Sequence, residues 1–246
     1  MVSADFHLPF DGNCLAFTII STPDMFENAF IPYIRMRNTA DMLDPINHCM
    51  KHYLNKLCMT LSRHSSSVEV IHDFDLQMPN RRPKVLAQTA AHVSGAAFYY
   101  KPDVISADRA DGRAGGERSL APLSPSTQPS PSLSSKLSHS PSGRRLLGYC
   151  IHPEFGGWFA IRAVLVLADL TADWMIQRSA KDVLPSVKQR IELLTAFNTN
   201  WHDWSAYRDV IAVTKRYSDL QIQYFQSSAT DRRAILNTFI DCHKSD

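Results

Sequence analysis

The 246-residue sequence has no C-x-x-C pair, and its five cysteines, Cys14, Cys49, Cys58, Cys150 and Cys242, are scattered and odd in number. That excludes a disulfide framework or a zinc knuckle as the organising device. It points to a reducing compartment, the cytoplasm. No apolar run approaches the roughly 20 residues of a membrane-spanning helix. Met1 to Pro9 lacks a basic start and a long apolar stretch, so no secretory leader is expected there. Charge of one sign is not in excess: the formal net charge is +2, with 20% charged residues. Nothing draws the whole chain to nucleic acid or an anionic bilayer. The basic stretch Asn80-Arg81-Arg82-Pro83-Lys84 has no wider basic stripe around it and is a poor footprint for nucleic acid. The catalytic signatures of a P-loop, a G-x-G-x-x-G after a strand, H-E-x-x-H and G-x-S-x-G are also missing. With 44% hydrophobic residues, the chain is expected to form one domain, 1–246, whose core needs no staple.

The local patterns supply the elements. Leu15 to Ile20 is a short apolar, partly β-branched run that predicts a buried strand. Thr22-Pro23-Asp24 supplies a cap, a proline for the first turn and an early acid, and predicts a helix through Met25, Phe26, Ala29, Phe30 and Tyr33. Asp44-Pro45 repeats that signal ahead of Ile46, Met50, Tyr53, Leu54, Leu57 and Leu61 at helical spacing. Val68 to Leu76 alternates as a strand does, and Asn80 to Lys84 is turn-like. In the small-residue run from Ala87 to Tyr100, Gly95 and Ala96 weaken a helix, while Val93, Phe98 and Tyr99 favour a strand for its second half. Gly148 to Ile151 and Trp158 to Leu167 predict two strands joined by Glu154-Phe155-Gly156-Gly157 as a hairpin loop. Ser186 with Gln189 and Ser218 with Gln221 are capping boxes, and Thr230-Asp231 opens a last helix. This order predicts an α+β domain, an antiparallel sheet packed with helices.

Residues 106–145 differ from the rest. Ser119 to Gly143 is almost entirely Ser, Pro, Leu and Thr, and such a segment buries too little apolar surface to offset its ordering entropy. It is expected to be a disordered insertion at the tip of a hairpin, between two strands.

Three segments could carry chemistry. Across Asn80 to Tyr100, the small side chains let a ligand come close to the backbone, or serve tight packing of strand on helix. His92 suits a hydrogen-bonded structural role as well as a ligand role, and Tyr99 and Tyr100 suit core packing as well as stacking on a planar ligand. In Cys150-Ile151-His152-Pro153, Cys150 and His152 share a strand face, yet no further ligands complete a metal site. Gly156 and Gly157 have a plain reading as turn residues. Of the arginines, Arg162 interrupts the apolar run Trp158 to Leu167, so it must reach a partner or a cleft. Arg208 follows Trp204 and Tyr207, and Arg232 opens the last helix.

The stretch Asn80 to Tyr100, and Cys150-Ile151-His152-Pro153-Glu154-Phe155-Gly156-Gly157-Trp158-Phe159-Ala160-Ile161-Arg162, resemble the signature segments of the CblC (MMACHC) family. Phe6-His7-Leu8-Pro9, Leu15 to Pro23 and Trp201 to Arg208 resemble it too. The resemblance covers nearly the whole chain apart from the insertion. It departs from the family in two places: the chain opens almost at Phe6, and the Ser/Pro insertion stands where the family has a short turn.

The resemblance implies a flavin-reductase or nitroreductase-like α+β fold. It implies intracellular vitamin B12 processing, in which cobalamin is bound base-off and its upper axial ligand removed. His92, Gly95, Gly156 and Gly157 would then belong to the cobalamin-binding motif without ligating cobalt. Further contacts to cobalamin would fall on Asp73, Val85, Leu86, Ala87, Gln88, Tyr99, Tyr100, Lys101, Cys150 and Ile161. Decyanation of cyanocobalamin would use reduced flavin, FAD or FMN, with NADPH as the indirect reductant. Dealkylation of alkylcobalamins would use glutathione, held by Arg162, Arg208 and Arg232. The implied protein partner is a CblD (MMADHC-like) trafficking protein, and the implied state a monomer or weak homodimer. A non-catalytic cobalamin chaperone and a flavin-dependent reductase of nitroreductase type are the alternative readings.

Overall fold

The structure, a computed structural model, describes residues 8–37, 42–102 and 146–241. The segment 106–145 lies outside them. In chain order the described elements are β1 (Cys14–Ser21), a π-helical turn (Phe26–Phe30) running into α1 (Ile31–Arg37), α2 (Pro45–Leu61), β2 (Val68–His72), β3 (Leu76–Gln77), β4 (Arg82–Pro83), α3 (Ala87–Val93), β5 (Phe98–Tyr100), β6 (Tyr149–Ile151), β7 (Ala160–Thr171), α4 (Val187–Thr199), α5 (Ser205–Arg208), α6 (Asp219–Gln226) and α7 (Ala229–Asp241). This is the α+β class expected.

The strand β7 organises the molecule. It lies between β1 and β2, antiparallel to both. Ala163, Val164, Leu165, Val166 and Leu167 are buried along it, which is why this stretch is a continuous apolar run and does not alternate. The short helix α3 is fastened to the sheet by the Thr18 hydroxyl, which donates to the carbonyl of Ala90 at 3.2 Å. A second, two-stranded sheet pairs β5 with β6, so the strands flanking the insertion are hydrogen-bonded neighbours. A helical core of Phe26, Phe30, Ile34, Met50, Tyr224 and Leu236 joins the π-turn and α1 to α2, α6 and α7.

Several local expectations hold. Asp44 caps α2 by accepting the N–H of Asn47 at 3.1 Å, with Pro45 following it. Ser186 and Gln189 form the reciprocal capping box of α4.

Others need correction. The first helix runs through Met25, Phe26, Ala29, Phe30 and Tyr33 but is π-helical over Phe26–Phe30: Pro32 has no N–H to give the carbonyl of Asn28, and the N–H of Ile31 reaches back to Phe26. Residues 87–93 are helix, Val93 included, and only Phe98–Tyr100 is strand. Alanines suit a helix lying close on the sheet, and Gly95, at φ +81°, ends it. Residues 152–156 do turn as a tight hairpin, His152 and Gly156 exchanging backbone bonds at 2.8 and 3.0 Å, but the strands on either side do not pair with each other: β6 pairs with β5, while β7 pairs with β1 and β2. The last helix opens one residue before Thr230, where the Ser228 hydroxyl accepts from the N–H of Asp231 at 3.2 Å.

Candidate functional site

The expected contact residues divide by what holds them. One group forms a wall where α3, β5, β6 and β7 meet. Ala91, Ala97, Cys150 and Phe159 are buried together there, with Ile20, Tyr99, Phe155 and Ile161 packed against them. Gln88 ties this wall across the strands: its Nε2 donates to the carbonyl of Gly148 at 3.3 Å, and its own carbonyl accepts the Cys150 thiol at 3.6 Å. Burial pushes that thiol up to about 12, so Cys150 is neither a thiolate nor a ready metal ligand. Val85, half-buried, and Leu86, exposed, lead into α3, with Leu86 at the helix start, and Lys101 is exposed beyond β5.

Both histidines beside this wall have their Nδ1 occupied. His92 Nδ1 accepts the N–H of Tyr99 at 3.2 Å, and its ring stands edge-on to Phe98. His152 Nδ1 accepts the N–H groups of Glu154 and Phe155 at 3.1 and 3.2 Å, and its ring stacks on Phe155. Burial lowers the His152 pKa, with Glu154 opposing it, so the neutral ring that accepts these bonds is favoured. Among the described residues no group of three His, Cys, Asp or Glu could hold a metal ion.

Gly156 and Gly157 serve the arginine behind them. Gly156 has φ +57°, and a Cβ there would stand 2.5 Å from the carbonyl oxygen of Arg208; one on Gly157 would stand 2.8 Å from the Arg208 Cα. The glycines let the Arg208 backbone pass, and the Gly157 N–H bonds its carbonyl at 3.0 Å. The guanidinium donates from Nη1 to the carbonyl of Gly157 at 2.5 Å. It lies 4.6 Å from the ring centre of Trp204, 5.2 Å from Tyr217, 5.5 Å from Trp158 and 5.6 Å from Tyr207. Its Nε is buried without a partner. Trp158 and Tyr217 are the members of this ring cage that sequence reasoning misses, because Tyr217 meets Arg208 only through the fold.

Arg162 sits in a β-bulge. Ile19 and Ile20 of β1 face Ala163 and Ile161 of β7, leaving Arg162 as the extra residue. That re-aims its side chain, whose Nε donates to the buried hydroxyl of Ser21 at 2.9 Å. Its carbonyl accepts the N–H of Asp73 at 3.0 Å. Burial raises the Asp73 carboxyl and the nearby Arg162 charge works against that rise. Burial likewise pushes the Cys49 thiol up to about 12 against the same arginine. Ser21 and Cys49 carry no sequence signal of this role.

Arg232 closes the end of α6: its Nε and Nη2 donate to the carbonyls of Tyr224 and Phe225 at 2.9 and 2.7 Å. It also lines a cavity of about 350 Å³ beside Asp44, Asn47 and Leu236. The three arginines thus rest on three different supports: a sheet bulge, a ring cage and a helix end.

Two expected residues face elsewhere. The Tyr100 side chain is 1% exposed and its hydroxyl donates to Asp182 at 2.8 Å. Gly95 lies under the backbone of Arg178.

A family model described as methylmalonic aciduria and homocystinuria type C matches residues 1–236. A Danio rerio protein named cyanocobalamin reductase / alkylcobalamin dealkylase is 38% identical over 238 residues, 96% of this chain and 81% of the relative. The Homo sapiens protein of the same name is 37% identical over 232 residues, 94% of this chain and 70% of the relative. The crystal structure of a C. elegans B12-trafficking protein CblC, a human MMACHC homologue, aligns with a TM-score of 0.74 at 29% identity, covering 97% of this chain and 84% of that one. By these matches the chain belongs to the methylmalonic aciduria and homocystinuria type C (MMACHC) family.

Proposed function

We propose that this protein processes cobalamin, binding it base-off and removing its upper axial ligand as a cyanocobalamin reductase and alkylcobalamin dealkylase. Relatives bearing that name match over most of both chains. The observation that carries the reading is the wall at α3 and β6: it is apolar, both its histidines already use Nδ1, and its cysteine is a protonated thiol. A corrinoid lying against the half-buried rim of that wall, Ile20, Tyr99, Phe155 and Ile161, would meet no protein donor for cobalt.

The absence of a lower donor withdraws electron density from cobalt and eases its reduction. One electron takes cyanocobalamin from Co(III) to Co(II), and cyanide leaves with the pair of the Co–C bond. Reduced flavin, FAD or FMN replenished by NADPH, supplies that electron when bound, and no residue of this chain is assigned to it. With an alkylcobalamin the glutathione thiolate attacks the cobalt-bound carbon. A C–S bond forms, the Co–C pair stays on the metal, and the products are a thioether and cob(I)alamin.

Arg162, Arg208 and Arg232 would hold the glutathione carboxylates, a task suited to guanidinium forks. The unpartnered buried Nε of Arg208 supports this, since such a donor costs about 1–3 kcal/mol until an acceptor arrives. The flavin-reductase or nitroreductase-like character of the fold, a cytoplasmic location, a CblD (MMADHC-like) partner and a monomer or weak homodimer belong to the same proposal.

The test is spectroscopic. Cyanocobalamin mixed with the purified chain should shift to the blue, to its base-off spectrum, and then lose cyanide when reduced flavin is supplied; an alkylcobalamin bound in its place should lose its alkyl group when glutathione is supplied. A base-off spectrum with no turnover under either condition would make the protein a cobalamin chaperone. Tight flavin binding without any cobalamin shift would make it a flavin-dependent reductase.

A further inference from the structure

Between β7 and α4 the chain runs from Ala172 to Ser186 without helix or strand. Such a stretch ordinarily varies freely on a surface. Besides its bonds to Asn13 and to Arg190 of α4, it is tied to the expected cobalamin motif and its immediate neighbours. Gln177 Nε2 donates to the carbonyl of Val93 at 2.9 Å, next to His92. The Arg178 carbonyl oxygen lies only 2.5 Å from where a Cβ on Gly95 would stand. The Tyr100 hydroxyl donates to Asp182 and accepts the N–H groups of Val183 and Leu184 at 3.1 and 3.0 Å. Asp182 in turn is paired with Arg190 of α4 at 2.5 Å.

The Tyr100 hydroxyl is therefore fully used by this strap, and the backbone of Arg178 covers the Cα of Gly95. What the strap leaves over lies just ahead of its Gln177 anchor. Trp174 and Ile176 are 74% and 90% exposed, and Val93, the residue that anchors Gln177, is 53% exposed. Exposed large apolar side chains beside one such anchor mark a surface that meets something apolar.

We propose that the strap 172–184 is a wall of the corrinoid site, with Trp174 and Ile176 lying against the corrin and Gly95 and Tyr100 as positioning residues that act on cobalamin by fixing the strap. This rests on the cobalamin reading above. The occupant follows from continuity: the strap's anchors lead through Val93, His92 and Tyr99 directly to Cys150 and Ile161. A corrin suits it, being a broad apolar face that an indole covers well.

Hydrogen exchange and cyanocobalamin titration test it together, on the wild-type chain, on W174A/I176A and on Tyr100→Phe. In the wild type, cyanocobalamin should slow exchange across 172–184. The double variant alters only exposed side chains, so it should keep its thermal midpoint yet bind cyanocobalamin at least about tenfold more weakly. Tyr100→Phe should speed exchange at 177–184 in the free protein and weaken binding, while reaching the same base-off spectrum at saturation. A wild type that turns cyanocobalamin base-off with no protection of the strap, and a double variant that binds equally well, overturn the strap and leave the cobalamin reading standing. Protection that grows with protein concentration and ignores cyanocobalamin assigns the patch to a second copy and also overturns it. No base-off spectrum from folded wild-type protein removes both.

Discussion

Arg208 holds its guanidinium against four aromatic rings, with one bond to the Gly157 carbonyl and a buried Nε without a hydrogen-bond partner. A lysine could keep the charge but not the fork or the ring stacking. Arg208→Lys should therefore raise the KM for glutathione at least about tenfold in alkylcobalamin dealkylation. The cyanocobalamin spectral titration should not move, because Arg208 stands outside the wall of α3 and β6. Equal losses in both measurements would place Arg208 in cobalamin binding instead. The cysteines offer a second test at this scale. Burial pushes Cys49 and Cys150 up to about 12, so at pH 8 almost no thiolate exists at either. Iodoacetamide should leave both unmodified in the folded protein and label them once the chain is unfolded in urea, as peptide mass spectrometry would show. Rapid labelling of Cys150 in the native state would mean that the wall opens to water.

At the scale of elements, the loop 152–157 and the loop after α2 are each held by one decisive residue. Gly156 stands at φ +57° with the Arg208 carbonyl against it. Gly156→Ala meets a left-handed conformation that costs other residues roughly 1–2 kcal/mol, together with a clash against backbone. Chemical denaturation should show a loss of at least about 2 kcal/mol. The loop after α2 hangs on Asp169, whose carboxylate takes the hydroxyls of Ser65 and Ser66 and the N–H of Ser66. The Ser65 bond first, then those of Ser66, draw its pKa down to about 2. A carboxyl depressed on folding stabilises the fold above its unfolded pKa of about 3.9 and loses that contribution as pH falls through the folded value. Thermal melts should therefore show Asp169→Asn less stable than wild type at pH 6, with the gap closing between pH 4 and pH 2. A gap that persists at pH 2 would refute the role of the carboxylate charge. What the sequence discloses at this scale is local chemistry. Asp44-Pro45 and Ser186 with Gln189 announce α2 and α4, because a cap acts within four residues. The partner of β7 is not announced, since strand pairing is set across the chain. An apolar run and a glycine pair read equally well as a hairpin with β6 or, as found, as a central strand between β1 and β2. Val93 misleads for a related reason: its branched side chain favours a strand locally, yet it ends the helix α3.

Across the whole molecule, the candidate site is assembled from supports that do not share partners. Arg162 depends on Ser21 and a bulge in the sheet, Arg208 on rings and glycines, and Arg232 on the carbonyls of Tyr224 and Phe225 at the end of α6. The sequence marks each arginine individually, Arg162 most clearly because it breaks an apolar strand. Their convergence on one glutathione is the proposal made above. A double-mutant comparison can measure it. Substitutions without shared partners add in stability to within about 0.5 kcal/mol, so Arg162→Lys and Arg208→Lys should be additive in urea unfolding. If both guanidinium groups grip the same glutathione, their effects on its KM should not add. The first substitution frees the tripeptide from one end, and the second then costs less than it does alone, because the remaining contact no longer has a fixed ligand to hold. Additivity in both stability and KM would mean that the two arginines serve separate ligands. Non-additivity in both would mean that they communicate through the protein itself. Only the combination of additive stability with coupled KM identifies a single glutathione site drawn from three separate parts of the fold.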